Sequence, residues 1–148
     1  MADQTQPAAQ AQALYDGDIA SQALGIELLG AGEGWARLSM RVLPSMLNGH
    51  GTCHGGYLFL LADSAFGMAC NTRGLAAVAS GGDIAFLAPA HADELLVAVA
   101  EERAVRGRSG LYDVRVGRRD DVVAELRGRS RSLSAPPSRA SRTGAQHA

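Results

Sequence analysis

The sequence predicts an α+β domain in which one long central helix is wrapped by an antiparallel β-sheet of about five or six strands. Three observations carry this reading. Residues 57–71 span about four helical turns and are apolar on nearly every side, so that helix has no face to offer water. β-type runs flank it in the chain on both sides. The turns between the last four runs are too short for crossover helices, which fits antiparallel meander pairing and not βαβ units. A sheet from one small chain covers most of such a helix but not all of it. The remainder calls for a second copy of the chain, so a dimer at minimum is expected.

The elements follow in order. Residues 1–10 are rich in Ala and Gln and are expected to be a disordered N-terminus. Residues 12–24 give a weak amphipathic helix with Leu14, Ile19, Ala23 and Leu24 on its apolar face. Gly17 weakens that helix, Asp18 is placed to cap a turn inside it, and Gly25 ends it. Residues 26–30 and 35–42 flank the turn AGEG as a hairpin. The second of them alternates cleanly, with Ala36, Leu38, Met40 and Val42 on one face and Arg37, Ser39 and Arg41 on the other. Pro44 stops it, and residues 44–56 form a Gly-rich loop before the central helix. Strands are then predicted over 76–88, 94–105, 111–117 and 122–133, separated by the turns PAHAD, RGRSG and GRRDD. Residues 11–133 make a single domain, and 134–148 are expected to be a disordered tail.

Composition narrows the function. Of 148 residues, 47% are hydrophobic and 20% charged, which suits a packed core, while 5% aromatics leaves that core to Ala, Val, Leu and Ile. The longest apolar stretch is broken by Asp63 and Ser64, so no membrane span is expected. The start, MADQTQPAAQAQ, lacks the charge and apolar run of a secretory signal. Two cysteines, Cys53 and Cys70, make no disulfide framework, and a cytoplasmic location fits. Residues 1–102 hold three basic residues against eleven acidic ones, and residues 103–148 hold eleven arginines against four acids. Only Tyr112 lies among those arginines, too little aromatic surface for stacking bases, and the net charge is -1, so no nucleic acid is expected. Arg127, Arg129 and Arg131 alternate, as on an exposed strand face.

Asp63 stands out chemically. It is the one charge between His54 and Arg73, in the middle of the predicted buried helix. A carboxylate there must find partners or hold its proton more tightly. A core aspartate bonded to neighbouring backbone is the plain alternative. The helix starts at Gly55-Gly56, where free N–H groups and the helix dipole suit an anion or an oxygen gaining negative charge. A tight turn explains two glycines equally well. Eight residues separate Gly55 from Asp63, about 12 Å along a helix. One substrate atom cannot touch both within one chain, but two antiparallel copies of the helix would bring Asp63 of one near Gly55 of the other.

Other candidates are weaker. His50, Cys53 and His54 resemble half a metal motif without further ligands, so no metal is expected. Both cysteines read as small core residues. Ser64 has no base beside it and reads as a helper hydrogen-bond donor. Arg106, Arg108 and Ser109 in RGRSG suit a phosphorylated ligand, or simply form a solvated loop. Tyr57, Phe59, Phe66 and Met68 line a substrate pocket or the core, and Gly67 leaves space one turn after Asp63.

The stretch from 48 to 71, NGHGTCHGGYLFLLADSAFGMACN, resembles the signature of the hotdog-fold acyl-CoA thioesterases, nearest their PaaI-type, phenylacetic acid degradation branch. The match runs through HGG, F-x-L-A-D-x-A-F and A-C-N in unbroken register, and a weaker likeness covers about residues 15–133, including DIAFLAP at 83–89. The resemblance implies the hotdog fold, dimers commonly paired into homotetramers, and active sites at the dimer interface. It implies Asp63 as nucleophile or general base, the Gly55 amide as the group polarising the thioester carbonyl, and Asn48 orienting water or the carboxylate. His54 and Ser64 match supporting positions. The Arg106–Ser109 turn, with Gly56, matches regions that meet CoA, although Arg106 replaces the usual His or Asn. The expected reaction is hydrolysis of an aryl-acyl-CoA, such as phenylacetyl- or hydroxyphenylacetyl-CoA, to free acid and CoA, with no cofactor beyond the CoA of the substrate. A hydroxyacyl dehydratase and a non-catalytic acyl-CoA-binding protein are the competing readings. The first pairs a His with an acid; the second gains nothing from a buried charge.

Overall fold

The computed structural model describes residues 5–134. Its elements run α1 (Thr5–Asp16), α2 (Ile19–Ala23), β1 (Glu27–Gly32), β2 (Trp35–Arg41), a single 3-10 turn (Pro44–Met46), α3 (Gly55–Cys70), β3 (Ala77–Phe86), β4 (Leu95–Arg106), β5 (Ser109–Arg118) and β6 (Asp121–Ser132). The strands form one antiparallel sheet in the order β1-β2-β4-β5-β6-β3, curled around α3. This is the α+β hotdog arrangement.

The pattern of small and branched residues explains the wrapping. Ala36, Leu38 and Met40 of β2, Leu96, Ala98 and Ala100 of β4, and Tyr112, Val114 and Val116 of β5 are buried beneath the helix. They alternate with outward residues, as the two-residue strand period requires. The buried side of α3 is Leu58, Leu61, Ala62, Ala65, Phe66, Met68, Ala69 and Cys70. Phe66 and Tyr112 pack as a tilted pair with 5.4 Å between ring centroids. Both cysteines are free and buried, as core residues should be.

Four expectations change. The predicted helix over 12–24 is two helices, because Gly17 ends α1 and the Asp18 side chain caps α2 by accepting from the Ser21 N–H. Residues 5–10, expected to be disordered, are the start of α1, which is anchored by buried Pro7 and Ala11 and by Tyr15, whose hydroxyl donates to the Ile26 carbonyl at 2.8 Å. The expected disorder at residues 1–4 and 135–148 lies outside the described residues. The meander expected over the last four strands holds for β4, β5 and β6, but β3 is not beside β4. It follows α3 across the sheet and closes on β6, with Ala77 opposite Ser132 and Phe86 opposite Ala124. Local strand sequence carries no record of such a crossing. Ser109, expected in the hairpin turn, is the first residue of β5 and pairs with Arg106. Its turn is Gly107-Arg108, and Gly107 takes the φ of +58° that a tight turn here needs.

α3 is not buried all round. Gly56, Phe59 and Asp63 are exposed on the side turned from the sheet. Beside that open side, the edge strand β3 and the residue after it expose Val78, Phe86 and Leu87, the last at 58%.

Close packing beneath α3 is directly testable. A Cβ on Gly128 of β6 would sit 2.9 Å from the Phe66 ring. Gly128→Ala is expected to lower stability by about 1–3 kcal/mol in urea unfolding, the usual range for overpacking a core. Shortening Phe66 to Leu in the same chain should recover part of the loss.

Candidate active site

The loop entering α3 is held from both sides. The Cys53 N–H donates to the Ala90 carbonyl at 2.8 Å, and the His54 N–H to the Met46 carbonyl at 2.8 Å. Asn48 organises the inside of the loop. Its Oδ1 accepts from the His50 N–H at 2.9 Å, the Thr52 N–H at 3.2 Å and the Thr52 hydroxyl at 3.3 Å. The carboxamide oxygen therefore holds the loop, and the Nδ2 group is the part of Asn48 left to act as a donor.

His54 is the N-cap of α3. Its Nδ1 accepts from the Gly56 N–H at 2.9 Å, while its carbonyl accepts from the Tyr57 N–H at 3.0 Å. An acceptor at Nδ1 places the neutral ring's proton on Nε2. It also leaves the Gly55 N–H as the first-turn amide that has no partner among the described residues. That amide lies at the positive end of a 16-residue helix. The Phe86 ring covers Gly55 so closely that a Cβ there would lie 2.9 Å from it. Close approach is why a glycine is needed.

Gly55 and Asp63 share one open groove of about 600 Å³. Its walls are the N-cap His54, then Gly55, Gly56, Phe59, Leu60 and Asp63 from α3, with Ile84 and Phe86 from β3. A smaller cavity of about 290 Å³ adjoins it, bounded by Phe59, Asp63, Phe66, residues 79–82 and Leu126. Asp63 thus stands where the two cavities meet. Of the predicted acyl-pocket residues, Phe59 and Phe66 line this smaller cavity, whereas Met68 is in the core and Tyr57 borders neither space. A Cβ on Gly67 would meet nothing within 4 Å. Sequence reasoning missed Ala79, Ser80, Gly81 and Gly82. The available signal was a run of small residues within a predicted strand.

Asp63 was expected deep in apolar surroundings. Its side chain instead reaches the protomer surface, but the apolar packing around it still raises its carboxyl above the ordinary carboxylate value, and the Asp18 charge adds to that. Burial also raises both thiols, Cys70 to about 11, so neither cysteine is poised as a nucleophile.

The remaining candidates lie elsewhere. Ser64 does not line the groove; its hydroxyl meets that of Ser21 at 2.8 Å. Arg108 donates from Nε and Nη2 to the Ser132 carbonyl at 3.1 and 2.9 Å, and the Ser109 hydroxyl accepts from Arg131 at 3.4 Å. Arg106, Arg108 and Ser109 sit beside the start of β3, at the end of α3 opposite Gly55. Within one protomer they do not meet the groove. His50, Cys53 and His54 gain no further ligand: among the described residues no group of three or more His, Cys, Asp or Glu is placed to hold an ion. Nor is any helix there long and apolar enough to cross a membrane.

Comparison with known proteins places this geometry. The thioesterase superfamily model matches residues 50–125, the span holding the capped helix, Asp63 and β3. The acyl-coenzyme A thioesterase PaaI of Escherichia coli K12 is 46% identical over 124 residues, covering 83% of this chain and 89% of the relative. The structure of the E. coli PaaI protein from the phenylacetic acid degradation operon superposes with a TM-score of 0.83 at 43% identity, covering 88% of this chain and 95% of that one. A mutant of the phenylacetic acid degradation protein PaaI from Thermus thermophilus gives a TM-score of 0.74 at 37% identity, over 76% of this chain and 97% of that one. The chain belongs to the thioesterase superfamily. It is an enzyme of the thioester-hydrolase class.

The raised carboxyl of Asp63 has a consequence for stability. Below the unfolded value of about 3.9, Asp63 is protonated folded and unfolded alike, and Asp63→Asn should change little. As pH rises through the raised folded value, the native chain must ionise a group its surroundings disfavour, and stability is lost. Asp63→Asn is therefore expected to melt above the natural chain at pH 7, with the gap closing at pH 3.5. Equal melting temperatures at both pH values would mean the carboxylate is not disfavoured.

Proposed function

We propose that this chain hydrolyses acyl-CoA thioesters to the free acid and CoA at sites shared between two protomers of a homodimer. The single observation that carries the reading is one open groove presenting both the Gly55 amide, which has no partner among the described residues, and the Asp63 carboxylate. The likeness to a protein named acyl-coenzyme A thioesterase supports the substrate class.

The geometry calls for two chains. Gly55 and Asp63 lie two helical turns apart, too far for one carbonyl. A two-fold axis beside the open side of α3 sets Asp63 of one protomer against Gly55 of its partner, and it covers Phe59, Val78, Phe86 and Leu87. The same axis carries the Arg106–Ser109 turn of one protomer to the Gly55 end of the other, where guanidinium groups meet the phosphates of CoA. Pairing of two such dimers into a homotetramer belongs to the same proposal and rests on the family resemblance.

The chemistry needs few parts. The Gly55 N–H, with the Nε2–H of His54 beside it, polarises the thioester carbonyl and receives the oxyanion. One such donor lowers the barrier by about 3 kcal/mol. Asp63 takes a proton from water as that water attacks, or attacks the carbonyl itself to give a mixed anhydride that water then cleaves. Asn48 orients the water through Nδ2. The C–S bond breaks with CoA leaving as the thiolate. No cofactor is required, and the two free thiols suit a reducing cytoplasm. The smaller cavity, walled by Phe59, Phe66 and a run of small β3 residues, suits a flat aryl-acyl group such as phenylacetyl or hydroxyphenylacetyl.

Thiol release from a panel of acyl-CoAs tests the reading. Asp63→Asn is expected to lower kcat by about 10² or more while the fold stays intact. Arylacetyl-CoAs should exceed straight-chain substrates in kcat/KM. Tight acyl-CoA binding without turnover would instead mark a binding protein.

A further inference from the structure

One side chain fastens the end of α3 to the edge strand β3. Asn71, the C-cap of α3, donates from Nδ2 to the Gly67 carbonyl at 2.8 Å and to the Ala77 carbonyl at 2.9 Å. Its Oδ1 accepts from the Ala77 N–H at 3.0 Å. The carbonyls only accept and the N–H only donates, so one orientation of the carboxamide satisfies all three bonds. The two bonds to Ala77 copy what a neighbouring strand would offer it. Ala77 is the first residue of β3. Two residues on, the strand enters the wall of the smaller cavity at 79–82, across from Phe59, Asp63 and Phe66 of α3.

That stretch of wall cannot prop itself. Ala79, Ser80, Gly81 and Gly82 have side chains too short to brace β3 against the helix. The β3–β6 register also slips between Ala79 and Gly81, which leaves Ser80 as the extra residue of a bulge. Pairing with β6 places β3 in the sheet, but the gap from β3 to α3 is set by what joins the two directly. Two ties span it. At one end the Phe86 ring rests on Gly55. At the other, the Asn71 carboxamide holds Ala77. The smaller cavity and Asp63 lie between them.

We propose that Asn71 is a positioning residue that fixes the width of the acyl pocket and thereby limits the size of the acyl group. The inference rests on the acyl-CoA reading under Proposed function, with the smaller cavity as the acyl site. With both ties in place the pocket is a slot of about 290 Å³. Without the tie at Asn71, the start of β3 can move off the helix. A wider acyl group then enters, and a narrow one is held less firmly against Asp63.

Variants of the full chain separate width from mere stability. Asn71→Ala removes all three bonds. Asn71→Ser keeps a hydroxyl that reaches back to the Gly67 carbonyl, four residues earlier, but not to Ala77. Thr72→Val is the control. The Thr72 hydroxyl ties the same helix end to the β1–β2 turn, accepting from the Gly34 N–H at 2.9 Å and donating to the Ala69 carbonyl at 2.8 Å. Thiol release is compared for phenylacetyl-CoA and the wider 1-naphthylacetyl-CoA. The ratio of their kcat/KM values does not depend on the fraction folded. The natural chain should favour phenylacetyl by about tenfold or more, and both Asn71 variants should cut that ratio about threefold or more. Thr72→Val should lower the melting temperature and keep the natural ratio. An unchanged ratio in Asn71→Ser would overturn the proposal. So would an equal fall in Thr72→Val, or a natural chain that treats the two substrates alike. Absence of thiol release from the natural chain would end the catalytic reading and not this one, which is then read from the ratio of the two binding constants. Failure to bind either acyl-CoA would end both.

Discussion

The structure depends on a mismatch between one helix and one sheet. α3 has almost no polar residue along its 16 positions, and six strands curl around it from one side. The apolar area left on the other side is not covered by the described residues, because the sheet ends at β3. What this open side carries is chemical: a glycine amide at the helix start, a carboxylate two turns on, and an aromatic ring between them. The same surface that asks for a partner therefore holds the groups that a partner would complete. Association and catalysis, in the proposed dimer, are one constraint and not two.

Polarity at the start of α3 is shared out with economy. A helix begins with several unpartnered N–H groups, and a side chain usually caps them. Here His54 takes the Gly56 amide and fixes its own tautomer in doing so. The Gly55 amide remains, sheltered by the Phe86 ring, where a side chain on residue 55 would collide. A cap that satisfied both amides would make a more stable helix start and a worse site. At the far side of Asp63, Ser64 is held away by α2. The carboxylate thus meets apolar neighbours, which do not lower its basicity.

Much of this was legible in the residues. The all-apolar helix, the Gly-Gly start and the single carboxylate in its middle are local features, and local features survive in sequence. So do hairpins such as β4–β5, whose turn residues adjoin the paired strands. What was not legible depends on distant parts of the chain. The place of β3 beside β6 is decided by the route of α3 across the sheet. The link from Ser64 to Ser21 joins residues whose sequence separation hides their contact. The surface position of Asp63 follows from which side of the helix the sheet leaves open, and hydrophobicity alone reports only that all sides are apolar.

The uneven charge of the chain has its explanation in the same crossing. The acid-rich first part and arginine-rich last part are brought side by side when β3 pairs with β6 and β4 with β5. Asp83 of β3 meets Arg129 of β6 and Glu94 meets Arg118 across the two parts, while Asp113 receives Arg103 and Arg127 within the last part and Arg73 joins Glu33 to Glu102 within the first. Exposed pairs of this kind add little stability each, but they neutralise the arginines they hold. Those at the β4–β5 hairpin are different. Arg108 is tied to backbone carbonyls and Arg131 to the Ser109 hydroxyl, contacts that orient a guanidinium without cancelling its charge. With Arg106 beside them, they form a positive cluster that has no carboxylate partner among the described residues. The hairpin therefore keeps positive charge that none of the described acids cancels. In the proposed dimer, that hairpin lies at the Gly55 end of the partner, which is where the phosphates of a CoA thioester would arrive.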